Sequence, residues 1–379
     1  MKSQKGQKKQ SMNVLNKKRK RANNKNQEEN LSDNIKTREN ENELSKLNNI
    51  HFYKCIVEDA IDSGITDLEI NIFEAFKSIN NIPYLVYINK DNTIVFYDLN
   101  YNKKKFEIKN AHEEIIENIR YFLDKINKRD LLLTKSYQEG NIKVWDIKSI
   151  ECIFDIDSDS YTKCICSANF FYYDNQINII AIYDENRPYS EINVYNLNNN
   201  EIEEIKYFHG KTYFLKTFYN EKNKNSYIIT GHYNYIISYD YNHGKQYRQY
   251  KDGKSLQHSS AVIYEKNFEV KLIESCWDGY VRIWNFDSGK LLQKIDVIIN
   301  EEKLKKLLNG LCLWDNDYAF VGYDGAYIIL VDIKNGKVIK KLKDNDNAPV
   351  LSIEKISTNL GEYLITQEFN RNEIKLWLI

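Results

Sequence analysis

The chain has 379 residues, more than the ~150 of an ordinary domain but a common length for a single all-β fold. Hydrophobic side chains make up 42% of it, no apolar run approaches the ~18 residues of a membrane span, and the first fifty residues contain no apolar stretch typical of a secretory signal. The 54 basic and 54 acidic side chains give a formal net charge of +0, which taken alone argues against a nucleic-acid or membrane binder.

The neutral total is the sum of two parts of opposite charge. Residues 1–50 carry 13 basic and 6 acidic side chains, a net charge of +7, whereas residues 51–379 carry 41 and 48, a net charge of −7. The first part is rich in Lys, Asn, Gln and Ser and poor in aromatic and β-branched residues, so it cannot bury enough surface to offset its ordering entropy. The sequence predicts a disordered basic tail over residues 1–48 and a folded domain over residues 49–379.

Five consecutive cations stand in this tail: Lys17, Lys18, Arg19, Lys20 and Arg21. Such a run is typical of a nuclear-localisation signal, but nucleic-acid patches and plain solvated tails share the pattern. Nucleic acid is an expected partner only through the tail, because the folded part has the opposite charge. The six cysteines show no paired spacing, which favours a reduced, intracellular protein. The expected location is nuclear or cytoplasmic, and the basic run favours the nucleus.

A strand-like segment recurs seven times after residue 50. The copies are IVFYDL (94–99), IKVWDI (142–147), INVYNL (192–197), IISYDY (236–241), VRIWNF (281–286), ILVDI (329–333) and IKLWLI (374–379). Their reference positions are Tyr97, Trp145, Tyr195, Tyr239, Trp284, Val331 and Trp377, at spacings of 48, 50, 44, 45, 47 and 46 residues. A period in this range is typical of the blades of a β-propeller.

Each copy belongs to a unit of four strands. An apolar strand precedes it across a tight turn, as at Asp278-Gly279, and a more polar strand follows, as in residues 288–295. The pattern predicts an all-β, seven-bladed β-propeller. The segment 51–57 has no strand of its own to pair with, and the last copy lacks an outer neighbour. We therefore expect residues 51–57 to close the ring as the outer strand of blade seven, which removes exposed sheet edges.

These units resemble the WD repeats of the β-transducin-like propeller family, with good matches in SYQEGNIKVWDI (136–147) and SCWDGYVRIWNF (275–286). The resemblance implies that a turn Asp, an upstream His, a Ser or Thr of the second strand and the Trp of the third tie each blade by hydrogen bonds. Blade five supplies all four, as Asp278, His258, Ser275 and Trp284. Blade two supplies His112, Trp145 and either Thr134 or Ser136, with Glu139 in place of the turn Asp. The other five blades are degenerate.

The sequence contains no pattern typical of an enzyme or of a cofactor site. There is no HExxH segment, no phosphate-binding Gly-Lys loop and no paired-Cys metal signature. Asp and Glu recur in the turns, as a repeated structural turn requires. We therefore expect a protein that is not an enzyme, with no catalytic residue, no metal and no cofactor.

Binding of other proteins is the remaining function, and the fold indicates where to look. In a propeller, the turns between second and third strands surround one mouth of the central channel, the top face. We expect the residues just before the turn Asp positions to be exposed there: Lys90, Gln138, His232, Trp277, Tyr323 and Asn370. We call Trp277, Tyr323, His232 and Tyr233 the aromatic sector, which Arg187 and Tyr189 of blade three extend. Trp, Tyr and Arg are enriched at interface hot spots. Alternatively, Trp277 packs over its neighbour blade and the tyrosines reflect a Tyr-rich composition.

The sequence thus predicts a non-catalytic scaffold, monomeric within a larger complex, that binds peptide segments of partner proteins through its top face and has no membrane partner. Two alternatives stay open. One is a nuclear or nucleolar assembly factor whose basic tail contacts RNA. The other is a substrate-recruiting adaptor of a ubiquitin ligase, in which an acidic face with aromatic anchors reads a degradation signal. The fold does not select among them.

Overall fold

A computed structural model of the chain describes residues 45–47, 49–57, 60, 72–136, 141–156, 164–184, 189–199, 201–253, 257–266, 269–297, 308–315, 317–324, 327–343, 348–368 and 373–379. The predicted tail up to residue 44, including the basic run 17–21, lies outside the described residues. So do four positions named above: Gln138, Glu139, Arg187 and Asn370.

The described residues form 28 strands in seven antiparallel four-stranded sheets. In chain order the strands are β1 His51–Val57, β2 Phe73–Lys77, β3 Pro83–Ile88, β4 Ile94–Asp98, β5 Lys103–Ile108, β6 Ile116–Asp124, β7 Arg129–Ser136, β8 Ile142–Asp146, β9 Glu151–Ile156, β10 Cys164–Tyr173, β11 Gln176–Asp184, β12 Tyr189–Asn196, β13 Ile202–His209, β14 Phe214–Asn220, β15 Asn225–Gly231, β16 Ile236–Asp240, β17 Lys245–Tyr250, β18 His258–Lys266, β19 Glu269–Cys276, β20 Tyr280–Asn285, β21 Leu291–Asp296, β22 Leu308–Leu313, β23 Tyr318–Tyr323, β24 Tyr327–Asp332, β25 Lys337–Lys343, β26 Val350–Thr358, β27 Gly361–Glu368 and β28 Ile374–Leu378.

The sheets are the blades of a propeller. Blades one to six each consist of four consecutive strands, from β2–β5 to β22–β25, and blade seven has the order β26-β27-β28-β1. The innermost strands β2, β6, β10, β14, β18, β22 and β26 contact one another in sequence, and β26 contacts β2 to complete the ring. The prediction of an all-β, seven-bladed propeller is confirmed.

The first strand of the chain closes this ring. β1 pairs antiparallel with β28, in a register that sets His51 opposite Leu378 and Lys54 opposite Leu376. The ring of Phe52 meets that of Trp377 edge-on, with centroids 5.6 Å apart. Residues 51–57 therefore form the outer strand of blade seven, as the sequence predicts.

The hydrophobic core lies between neighbouring blades. The second strands Pro83–Ile88 and Tyr318–Tyr323 are buried along their whole length, because both faces of a blade are covered. Their sequences accordingly read as continuous apolar runs. Each core cluster draws on adjacent blades, as where Val86 of blade one packs in the same cluster as Leu132 of blade two. Of the outer strands, β5, β9, β21 and β25 expose polar side chains to solvent.

In blades one to six, the Asp or Asn that follows the reference position of the repeat forms the turn between third and fourth strands. Asp98 Oδ1 accepts the Asn100 N–H at 3.0 Å, and Asp146 Oδ1 accepts the Lys148 N–H at 2.9 Å. The same bond recurs at Asn196, Asp240, Asn285 and Asp332. A side chain that bonds the backbone two or three residues on stabilises a tight turn. Blade seven has Leu378 at this position, where no such turn to a fourth strand is needed.

Candidate functional site

Blade two is tied internally by three side chains. His112 Nε2 lies 2.8 Å from Thr134 Oγ1, and Trp145 Nε1 donates to the same oxygen at 2.9 Å. Trp145 pairs with Leu132 across the sheet. Thr134 is two residues after Leu132 on the same strand, so it lies on the same face of the sheet as Trp145. Of the two candidates for the linking hydroxyl, the structure selects Thr134. No described residue bonds His112 Nδ1.

Blade five is tied differently from the arrangement implied by the family resemblance. Trp284 Nε1 donates to Glu274 Oε1 at 3.1 Å, and Glu274 Oε2 bonds His258 Nδ1. The expectation that Ser275 links these side chains is wrong. Ser275 is one residue along the strand, so it points to the opposite face and donates to the Asn309 carbonyl of blade six at 2.7 Å.

The turn residue Asp278 also has a different partner from the expected His258. It accepts from Arg282 NH1 at 3.1 Å and pairs with Arg282 NH2. Arg282 Nε donates to Asp252 at 2.8 Å, and Arg282 NH1 lies 3.8 Å from Glu274 Oε1. We call these five residues, Arg282, Glu274, Asp278, Asp252 and His258, the blade-five ion network. Its central arginine is completely buried.

Two further ties were missed at the sequence level. In blade seven, Trp377 Nε1 donates to Thr366 Oγ1 at 2.9 Å. In blade four, Thr230 Oγ1 lies 2.9 Å from His232 Nε2. The same signal would have found both ties. In each blade, a Thr lies two residues after the residue that pairs with the reference aromatic across the sheet, as Thr366 lies two residues after Leu364, the partner of Trp377.

The two buried histidines His112 and His232 make the propeller sensitive to acid. Burial, assisted by the charge of Lys143, lowers the pKa of His112 to about 3. Burial also lowers the pKa of His232 to about 4, although a hydrogen bond with the Lys211 carbonyl opposes this. In the unfolded chain, each histidine has a pKa of 6.5. Below that pH, both rings therefore stay neutral in the folded state but are protonated in the unfolded chain. The stability they confer is present above pH 6.5 and is lost as the pH falls towards these folded-state pKa values.

We expect each histidine to remove about 1.4 kcal/mol of unfolding free energy per pH unit below pH 6.5. Urea unfolding between pH 6.5 and 4 should therefore show a shallower loss of stability in the His112→Gln/His232→Gln variant than in the wild type. The carboxylates contribute equally to the pH dependence of both proteins, so their contribution cancels when the two slopes are compared. Equal slopes for the two proteins would contradict the buried, neutral assignment.

The aromatic sector does not form a continuous exposed surface. His232 is only 1% exposed and Tyr323 only 7%, so the expectation that they are exposed is wrong. His232 is held by Thr230 and by the Lys211 carbonyl at 3.2 Å, and Tyr323 packs in the core between blades five and six. Two further members of the sector reach the surface: Tyr233 is 52% exposed and Trp277 is half-buried. Lys90 is exposed as expected, and the side chain of Tyr189 lies outside the description.

Trp277 stands at the top of the central channel. A cavity of about 650 Å³ occupies this channel, and Trp277, Tyr213 and Gln257 line it. Gln257 and Tyr213 directly precede the innermost strands β18 and β14, and Trp277 follows β19, so all three lie at the top face. The Trp277 N–H donates to the Gln257 carbonyl at 3.0 Å, which fixes the Trp277 backbone. We call these three residues the channel mouth.

Charged side chains line the channel below its mouth. Glu354 of blade seven accepts the Ala75 N–H of blade one, and Arg120 NH1 of blade two lies 3.8 Å from Glu74 Oε2 of blade one. Burial, followed by the charge of Glu74, raises the pKa of Glu354 well above its usual value, against the opposing effect of Arg120. These residues were not predicted from the sequence. Their signal is a charged residue within the first strand of a blade, at Glu74, Arg120 and Glu354.

Among the described residues, no group of three or more His, Cys, Asp or Glu side chains is placed to hold a metal ion. The described part of the chain also has no helix long and apolar enough to cross a membrane. The sequence matches no protein-family model and no curated protein. The function is therefore inferred from the propeller and its channel.

Proposed function

We propose that this propeller is a non-catalytic interaction scaffold that binds a peptide segment of a partner protein at the channel mouth. The observation that carries the proposal is the half-buried Trp277 on the edge of a cavity of about 650 Å³ that Tyr213 also lines. A tryptophan anchored at a concave surface is a favourable hot spot, because a partner can desolvate it fully without first ordering it.

The scaffold around this site is rigid, which supports a binding role. Trp277 begins the turn of blade five, and the Gly279 N–H closes that turn on the Cys276 carbonyl at 3.1 Å. The ion network directly beneath holds Asp278, the next residue along the chain. A preorganised site loses little entropy when a ligand binds. The Thr–Trp ties of blades two and seven further support assignment to the WD-repeat type of propeller.

Replacing Trp277 with alanine should weaken peptide binding and leave the fold intact. Peptides would be selected from a displayed library against the purified full chain, and their Kd measured by fluorescence anisotropy. We expect Trp277→Ala to raise the Kd of the selected peptides at least about tenfold, as for a hot-spot residue.

The matched control is Tyr101→Ala, which removes an aromatic side chain that is 71% exposed in the turn between β4 and β5, at the opposite end of the blades. Its Kd should equal that of the wild type. A selection without enriched peptides, or equal losses in both variants, would contradict the proposal.

A second candidate function is nuclear assembly, which the run Lys17–Arg21 favours. In this hypothesis the basic segment supplies import or RNA contact, and the propeller holds protein. A fluorescent fusion lacking residues 17–21 should leave the nucleus. An unchanged distribution argues against this candidate and leaves the channel-mouth proposal untouched.

A further inference from the structure

The end of the propeller opposite the channel mouth exposes large apolar side chains at its turns. Leu360 lies between β26 and β27 of blade seven, and Tyr101 lies between β4 and β5 of blade one. In blade two, Ile126 lies between β6 and β7, and Ile150 lies between β8 and β9. We call these four side chains the turn tips. Their exposed fractions range from 42% at Ile150 to 71% at Tyr101. Apolar side chains grouped on one exposed surface indicate an interaction site.

The turns that carry the tips are fixed to one another across the blades. The Asn359 N–H of blade seven donates to Asn100 Oδ1 of blade one at 3.2 Å. The Ile79 N–H of blade one donates to Asp130 Oδ1 of blade two at 2.9 Å. The tips therefore belong to one rigid surface of three neighbouring blades, and a partner that covers them does not have to order them first.

Ile150 occupies a backbone position that favours glycine. It is the fifth residue of the turn that begins at Asp146, its N–H donates to the Asp146 carbonyl at 2.9 Å, and its φ is +60°. A β-branched residue in the left-handed region is strained, and Ile150 is exposed, so it gains little burial in return. Strain of this kind suggests a function outside the fold. The equivalent residues of blades one, four, five and six are Asn102, Gly244, Gly289 and Gly336, with φ from +54° to +71°.

Four exposed lysines accompany the turn tips: Lys103, Lys125, Lys128 and Lys148. None of them forms an ion pair with another described residue. Lys103 Nζ lies 5.5 Å from the centroid of the Tyr101 ring. The four turns at this end of blades one and two contain no Asp or Glu, and Glu151 at the start of β9 is an exposed carboxylate beside them. This surface is therefore positive, although the net charge of residues 51–379 is −7.

The combination of tips and lysines fits a membrane surface better than a soluble partner. The tips project from separate turns, and none of them lines the channel cavity. A fluid lipid surface accommodates projecting side chains without complementary pockets, while lysines reach the anionic headgroups and tyrosine favours the interface. Lysine is depleted at protein–protein interfaces, and aliphatic tips offer no stacking platform for the bases of a nucleic acid.

We propose that the turn tips bind the surface of a bilayer that contains anionic lipids, with the apolar side chains inserted among the headgroups and the lysines on the lipid phosphates. In this orientation the channel mouth, at the opposite end of the blades, faces away from the bilayer and stays free for a peptide. The proposal replaces the sequence-based expectation of no membrane partner, because a net charge does not describe how charge is distributed over the surface.

Vesicle flotation with the full chain tests this surface. To remove the contribution of the basic run, the parent protein for all comparisons has each cation of Lys17–Arg21 replaced by glutamine. The vesicles are phosphatidylcholine alone, or phosphatidylcholine with about one-third phosphatidylserine as the anionic lipid. We expect the parent to bind the anionic vesicles at least about tenfold more tightly than the neutral ones, and more weakly as salt is added.

Ile126→Ser/Ile150→Gly should weaken binding to anionic vesicles at least about tenfold, because two apolar side chains no longer insert. The thermal midpoint should not fall, since glycine suits the left-handed backbone of residue 150. Lys125→Gln/Lys148→Gln should weaken binding and reduce its salt dependence. The matched control is Ile115→Ser, which removes an isoleucine that is 50% exposed between β5 and β6, at the channel-mouth end, and should leave binding unchanged.

The proposal is overturned if the parent does not bind anionic vesicles, or if Ile126→Ser/Ile150→Gly binds them as tightly as the parent does. Poly-glutamate and poly-uridine are the soluble polyanions to compare. If the isoleucine variant loses affinity for one of these while its binding to vesicles is unchanged, the turn tips bind an acidic protein or an RNA and not a membrane.

Discussion

Replacing Arg282 with alanine should cost the propeller about 3–5 kcal/mol of unfolding free energy. The substitution leaves the carboxylates of Asp278 and Glu274 without the guanidinium that neutralises them, while Asp252 keeps its ion pair with Lys294 at 2.6 Å. Arg282 is completely buried, so water cannot take its place without opening the blade. Urea unfolding followed by tryptophan fluorescence measures the loss, because Trp284 donates to a member of the network.

Two variants bracket this result. Arg282→Lys keeps the charge but cannot supply donors to several carboxylates in a fixed fork, so its loss should be intermediate. Lys109→Ala removes a cation that is 69% exposed and pairs with Glu107 at 3.1 Å. A surface pair of this kind contributes about 0–1 kcal/mol. If Arg282→Ala is as mild as Lys109→Ala, the ion network does not hold blade five together.

Deleting residues 1–57 should destabilise the entire ring and not merely loosen one end. Without β1, the edge of β28 loses its backbone partners, and Val57, which is 3% exposed, leaves the core shared by blades seven and one. We expect a loss of at least about 3 kcal/mol from this burial and the lost ladder bonds. Hydrogen exchange would show the effect as faster exchange in blades three and four, far from the β1–β28 pairing that closes the ring.

The control for this deletion is a chain that lacks residues 1–44 and retains β1. It should unfold at the same urea concentration as the full chain. If the two deletions have equal midpoints, or if faster exchange is confined to blade seven, ring closure by β1 does not govern the stability of the domain.

The fold was predictable from the sequence because its signal is repeated. Seven copies of one strand at nearly constant spacing fix the number of blades, and the unpaired segment 51–57 fixes the closing strand. The Asp or Asn after the reference position of blades one to six forms a local turn, which depends on residues only two or three positions away. Features encoded locally and repeatedly can be inferred without knowledge of the tertiary structure.

The site was harder to predict because it depends on which face of a strand each side chain occupies. Ser275 and Glu274 are neighbours in the sequence, but only Glu274 lies on the Trp284 side of the blade. His232 was expected at the surface by analogy of position, yet its ring turns inward to bond Thr230. Trp277 reaches the channel because it follows β19 at the top face. The channel carboxylates Glu74 and Glu354 come from blades one and seven, so their proximity follows only from the closed ring.

The pairing of β1 with β28 constrains the order in which the protein folds. The partners Phe52 and Trp377 lie more than three hundred residues apart in sequence, so the last sheet cannot be completed until every other blade has been synthesised. Contacts of such long range slow folding, because the entropy of a very large loop is lost before they form. Until then β1 is an unpaired strand, able to complete the seventh blade of another chain. Refolding at high protein concentration should therefore favour strand-exchanged dimers, whereas dilution favours closure within one chain.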